Sequence, residues 1–179
     1  MKRIIIMIVL AGFLYSCSSE PEMPKVSKQE LNTEIQELKT KISSENNVNS
    51  EKAAMQIVNL YAKYVEAFPK DSNAIKYLFE SAQVNVGLGL SPEAIANLDT
   101  IVARYPKSEV APSALQFKAF ILDDRMRRWQ KASEVLDELI EKYPNSDIIE
   151  NAKAYKQTLG KSPEQIIKEM EANNAASNK

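Results

Sequence analysis

The chain has 179 residues, 44% of them hydrophobic and 26% charged, with four glycines and eight prolines, which suits one domain with tails. It contains no histidine and a single cysteine, so imidazole is excluded as base or metal ligand and disulfides are excluded from the folded body. A formal charge of −1 argues against a nucleic-acid footprint, which needs a basic stripe.

The first element in chain order is a targeting segment. Lys2-Arg3 is a short cationic region, Ile4–Leu14 an apolar run of eleven residues, and small residues follow. That pattern reads as a secretory signal over residues 1–16, too short to span a bilayer as a mature helix. The other reading of the same residues is a buried helix or a membrane span. Leu14-Tyr15-Ser16-Cys17 resembles the lipobox of bacterial lipoproteins, and the resemblance implies cleavage before Cys17 and acylation (palmitate among the chains) of its thiol and new amino group. Two or more acyl chains anchor a protein stably, at about 0.8 kcal/mol per buried CH₂. Residues 17–26 are then a lipidated cysteine and a linker that Pro21 and Pro24 extend. No Asp follows Cys17, which by the sorting rule of enteric lipoproteins points to the outer membrane.

A helical domain is expected over residues 27–172. Ser27 can cap a helix to about Ser43, with Leu31, Ile35, Leu38 and Ile42 on one face. That face either packs on the next helix as half of a first repeat or self-associates through Glu30–Lys41. Ser43–Ser50 is a loop by composition. Helix Glu51–Phe68 presents Ile57, Tyr61, Tyr64, Val65 and Phe68, and residues 72–88 and 109–123 are further helices. Gly89-Leu90-Ser91-Pro92-Glu93 is echoed by Gly160-Lys161-Ser162-Pro163-Glu164. Each sets a glycine stop, a serine N-cap and proline at the first helical position. The last helix is expected to end near Met170, leaving residues 173–179 as a disordered tail.

These elements repeat. Phe68-Pro69, Tyr105-Pro106 and Tyr143-Pro144 are spaced by 37 and then 38 residues. Counting back from each proline, Ile57, Ala94 and Ala132 correspond, as do Tyr61, Leu98 and Leu136, and Tyr64, Ile101 and Leu139. So too do Val65, Val102 and Ile140. An aromatic closes each helix because the residue before proline is pushed out of the α region. Ser108, Ser146 and either Asp71 or Ser72 can then accept from the free N–H groups of the next helix, with acidic Glu109 and Asp147 in its first turn. The alanines let neighbouring helices approach closely, and Ile57 breaks that rule, so looser packing is expected in the first repeat. A helical period in the thirties means stacked helix pairs.

Tyr-Pro-x-Ser, a helix, a turn, then Trp129 three residues before Ala132 or Ser91 three before Ala94, resembles the tetratricopeptide repeat over roughly residues 51–160. The variety with Tyr-Pro-x-Ser is similar to the BamD-like outer-membrane assembly lipoproteins and the CpoB/YbgF periplasmic coordinators. The resemblance implies an all-α helical-hairpin solenoid of about three repeats plus partial ones, after a cleaved lipoprotein signal. It implies a non-enzymatic scaffold that binds envelope proteins, lipid-anchored in the outer membrane and facing the periplasm. An oligomeric coordinator of cell division or peptidoglycan synthesis is the alternative. An envelope hydrolase or transferase is the rival of another class.

No metal-ligand spacing, phosphate loop or nucleophile–base pair is present, so no cofactor and no catalytic residue are expected. Partner-binding candidates are Lys76, Glu80, Gln83, Gln116 and Lys118, on the first helix of each pair, where solenoids hold their ligands. Asp123-Asp124-Arg125-Met126-Arg127-Arg128-Trp129 is the densest charge cluster, with Arg125, Arg127, Arg128 and Trp129 as its binding candidates. They are either a polar hot spot for an acidic segment or lipid phosphate, or a solvated turn whose Trp129 staples the next helix.

Overall fold

The computed structural model describes residues 26–44 and 50–177. The signal segment, Cys17 and most of the linker lie outside the described residues, as do residues 45–49; Ser43, Ser44 and Ser50, expected in a loop, are helical. The described residues form eight helices: α1 Lys28–Ser44, α2 Ser50–Ala67, α3 Ser72–Gly87, α4 Ser91–Arg104, α5 Val110–Phe120, α6 Trp129–Lys142, α7 Ile149–Thr158 and α8 Pro163–Ser177. A π-helical turn, Ile121–Arg125, extends α5. Consecutive helices pack from α1 through α7, giving an all-α stack of hairpins. The first helices α1, α3, α5 and α7 also touch one another: Asn32 meets Tyr77, Phe79 meets Phe117, and Tyr155 meets Asp123. One apolar cluster runs from α1 to α5 and a second from α5 to α7, so each hairpin covers the stripe its neighbour exposes.

The three aromatic–proline turns are the same joint built three times. The amides of Phe68, Tyr105 and Tyr143 donate to the carbonyls of Tyr64, Ile101 and Leu139, at 2.8, 2.8 and 3.0 Å. Asp71, Ser108 and Ser146 then donate from their own amides to the carbonyls of Phe68, Tyr105 and Tyr143, all at 3.0 Å. The backbone leaves the helix alike at Tyr105 (φ −129°, ψ 50°) and Tyr143 (φ −128°, ψ 51°). Ile57, Ala94 and Ala132 are all buried, and so are Tyr61, Leu98 and Leu136. Ile57 is buried as the alanines are, in a cluster that holds Tyr61, Tyr64 and Tyr77.

The caps differ from expectation. Asp71 does cap α3, accepting from the Asn73 amide at 2.9 Å, and Ser27 Oγ lies 3.4 Å from the Glu30 amide. Ser108 and Ser146 instead use their carbonyls, which accept from Ala111 and Ile149. The reason is that Glu109 and Ile148 are already in the α region, so the chain starts to coil before a serine hydroxyl can reach the free amides. Glu109 therefore sits at the N-cap of α5, and Asp147 lies before α7 rather than in its first turn. The serine echo splits as well. Ser162 forms a capping box with Gln165 (3.3 and 2.8 Å), whereas Ser91 is the first residue of α4 and caps nothing. Helix α8 runs through Ser177, past Met170, because Ala172, Ala175 and Ala176 are strong helix formers; residues 173–177 are helical, not a disordered tail.

The period of 38 has a local cause. Ala74 and Ala94 are 20 residues apart, while their counterparts Ala111 and Ala132 are 21 apart. The extra residue falls where Leu90 donates to Asn85 in one repeat and Arg128 donates to Leu122 in the next, a span longer by one. The π-turn absorbs it, with Met126 donating to Ile121 across five residues. The chain then turns at Arg127, whose φ is +53°, in the place that Gly89 fills at +76° one repeat earlier. A side chain pays a steric penalty in that conformation. Arg127→Gly is expected to raise stability by about 1 kcal/mol, read as a higher denaturation midpoint.

Asp71 ties the first two hairpins together. It accepts from Lys28 of α1, from the Tyr64 hydroxyl at 2.9 Å and from Asn73. The Lys28 ammonium, with the Asn73 amide and Tyr64 hydroxyl, holds its carboxyl below the usual carboxylate range. A folded-state value below the unfolded one means that Asp71 contributes stability above about pH 4 and loses it as pH falls further. The melting temperature is expected to drop as pH falls below about 4, and Asp71→Asn, which keeps a capping side chain, should flatten that slope.

Candidate first-helix binding face

The exposed faces of α3, α5 and α7 form one strip. Its core is a row of rings: Phe79 and Phe117 are 5.8 Å apart and tilted, and Phe117 and Phe120 are 6.3 Å apart and stacked. Gln83, Ser113, Gln116 and Tyr155 complete an open groove of about 430 Å³ around them. Phe120 is 41% exposed, in a helix whose other face is buried through Ala111, Ala114, Leu115 and Ala119. Aromatic area left in water beside amides is the composition of a protein-binding patch, with apolar anchors and orienting hydrogen-bond groups. At one edge the Tyr155 hydroxyl donates to Asp123 at 3.0 Å. Burial, and then the bond to Asp123, raises its pKa well above the ordinary phenol value, so it stays a neutral donor.

The sequence candidates separate in space. Gln83 and Gln116 line the aromatic groove. Lys76 and Glu80 lie further along the same face, where Glu80 accepts from Lys39 at 2.8 Å and from the Tyr61 hydroxyl at 2.7 Å. Glu80 thus joins α1, α2 and α3. Lys118 is turned toward the second helices: its ammonium bonds Asp99 of α4 at 2.6 Å. In the turn, Arg125 pairs with its neighbour Asp124 at 3.1 Å, while Arg127 and Arg128 are exposed. Trp129 opens α6, half exposed, with its ring so close to Gly160 that a Cβ there would stand 3.2 Å from the indole.

Sequence reasoning missed the phenylalanines. Phe79 and Phe117 are partly buried and pack on the first core cluster, and of the three only Phe120 is exposed. The signal was present: the buried register of α5 is Ala111, Ala114, Leu115, Ala119 and Leu122, and Phe117 and Phe120 fall off that stripe.

Stacked hairpins with matching backbone joints define an all-α helical-repeat protein. A family model described as tetratricopeptide repeat matches residues 118–146, the segment that covers the end of α5, the π-turn, α6 and the third joint. The chain thus contains a tetratricopeptide repeat, in an all-α repeat fold of that type. No curated protein matches the chain.

Proposed function

We propose that this protein is a lipid-tethered scaffold of the cell envelope that holds partner proteins on its first-helix face during envelope biogenesis, with outer-membrane protein assembly the leading process. The observation that carries the reading is the Phe79–Phe117–Phe120 row flanked by Gln83 and Gln116. Tetratricopeptide repeats act by binding proteins, and aromatic side chains dominate such contacts when they are desolvated. The role proposed is therefore non-enzymatic. The tether rests on the Lys2-Arg3 start, the Ile4–Leu14 run and Cys17; among the described residues no helix is long and apolar enough to cross a membrane. Of the two readings of Glu30–Lys41, packing within the stack is favoured over self-association, since Leu31 and Ile35 are buried and Leu38 and Ile42 pack on the same cluster.

Affinity capture from detergent-solubilised membranes tests the reading, comparing the natural chain with a Phe117→Ala, Phe120→Ala variant and with one carrying Ala at Arg125, Arg127 and Arg128. Loss of envelope partners in the first variant is the expected result. Undiminished capture by it, with loss in the arginine variant, moves the site to the turn. Fractionation of Cys17→Ser should show release from the membrane, and unchanged retention contradicts the tether.

A further inference from the structure

The other side of the stack holds a second groove, between α2 and α4 with α3 as its floor. It encloses about 440 Å³, within the range of about 300–1,000 Å³ usual for binding sites. Its walls include Val58 and Val65 of α2, Leu78 of α3 and Leu90, and its only acidic or basic residue is Glu93.

The repeat shows why the groove is open at this joint. The residues at the next joint that match Ala62 and Ser81 are Asp99 and Lys118, and at the one after they are Asp137 and Lys156. Both later pairs are ion pairs that bridge a second helix to the following first helix. Here two small neutral residues stand instead, and Ser81 Oγ accepts from Asn97 at 2.9 Å. A further difference lies at Asn85, whose counterpart is the buried Leu122. Asn85 is 2% exposed and lines the groove, yet no other described residue hydrogen-bonds its side-chain amide. The amide reaches the water of the groove rather than being sealed in, and the fold does not require a polar group there, since leucine serves at the matching position.

We propose that this groove binds an internal segment of a partner polypeptide, whose peptide group pairs with Asn85, whose apolar side chain sits among Val58, Val65, Leu78 and Leu90, and whose basic residue lies beside Glu93. A peptide group offers the acceptor and the donor that a primary amide needs together. A chain-terminal carboxylate offers acceptors alone and would meet Glu93 as a like charge, so it is the wrong partner. The single acidic group, with no cation in the lining, supplies the charge complementarity.

An array of short N-acetylated, C-amidated peptides of systematically varied sequence, probed with the full chain, tests this. The array should select an apolar residue next to Lys or Arg. Asn85→Leu should weaken the selected peptides about tenfold, while Ala62→Asp with Ser81→Lys, which installs the ion pair of the later joints, should close the groove and abolish binding. Phe120→Ala should leave these peptides bound, which separates this groove from the first-helix face. No selection, or selection that survives Asn85→Leu, overturns the proposal. So does a dimer of the natural chain that Asn85→Leu dissociates in sedimentation, because the occupant is then a second copy. If the double variant does not fold, Asn85→Leu decides alone.

Discussion

Truncating Leu98 or Leu136 to alanine is expected to lower the unfolding free energy by about 2–5 kcal/mol each, measured by denaturant unfolding followed through helical circular dichroism. Both side chains are 0% exposed and stand at the same point of successive repeats, Leu98 in the cluster of α1 to α5 and Leu136 in that of α5 to α7. The cost combines lost transfer free energy with the cavity that close-packed neighbours cannot refill. Two similar losses are expected because the two sites are built alike. A loss under about 0.5 kcal/mol at either would place that residue on the surface and break the register.

The second large effect is expected at Tyr77, where replacement by alanine should cost about 3–5 kcal/mol. Tyr77 is 2% exposed, stacked on Tyr61 at 4.9 Å and edge-on to Tyr64 at 4.8 Å, and its hydroxyl donates to Asn32 Oδ1 at 2.7 Å. Three helices meet at that ring, so its loss opens a cavity and strands the Asn32 carbonyl. Tyr77→Phe keeps the ring and deletes only the hydroxyl. It should cost about 0.5–1.5 kcal/mol, and the difference between the two variants measures the packing share. Equal losses for both would shift the weight to the hydrogen bond and away from the aromatic cluster.

The sequence made the joints legible for a physical reason: proline and the aromatic before it constrain backbone angles locally, so their spacing reports the repeat without knowledge of the packing. The core followed from the same count, since Ile57, Ala94 and Ala132 share a face whatever lies opposite. The cap details were not legible, because whether Ser108 or Ser146 offers hydroxyl or carbonyl depends on the turn preceding the helix. The extra residue in the 38-residue interval could be counted, but its absorption in the π-turn at Ile121–Arg125 depends on α5 being held by neighbours at both ends. The candidate face was only partly described by the sequence. The placement of Gln83 and Gln116 on first helices agrees with the aromatic groove they line, whereas an exposed Phe120 and a buried phenylalanine look alike until the register is fixed. Lys118 shows the opposite failure, a surface-looking charge engaged by Asp99 of the preceding helix.

Amide hydrogen exchange of the native chain, resolved residue by residue, tests most directly whether the three turns are equivalent joints in one stack. The amides of Phe68, Tyr105 and Tyr143 and those of Asp71, Ser108 and Ser146 each have a backbone carbonyl partner. All six should be protected far beyond unfolded-chain rates, with matching amides of the three turns within about tenfold of one another. A turn whose two amides exchange at the unfolded-chain rate, while the other turns stay protected, would contradict the stack.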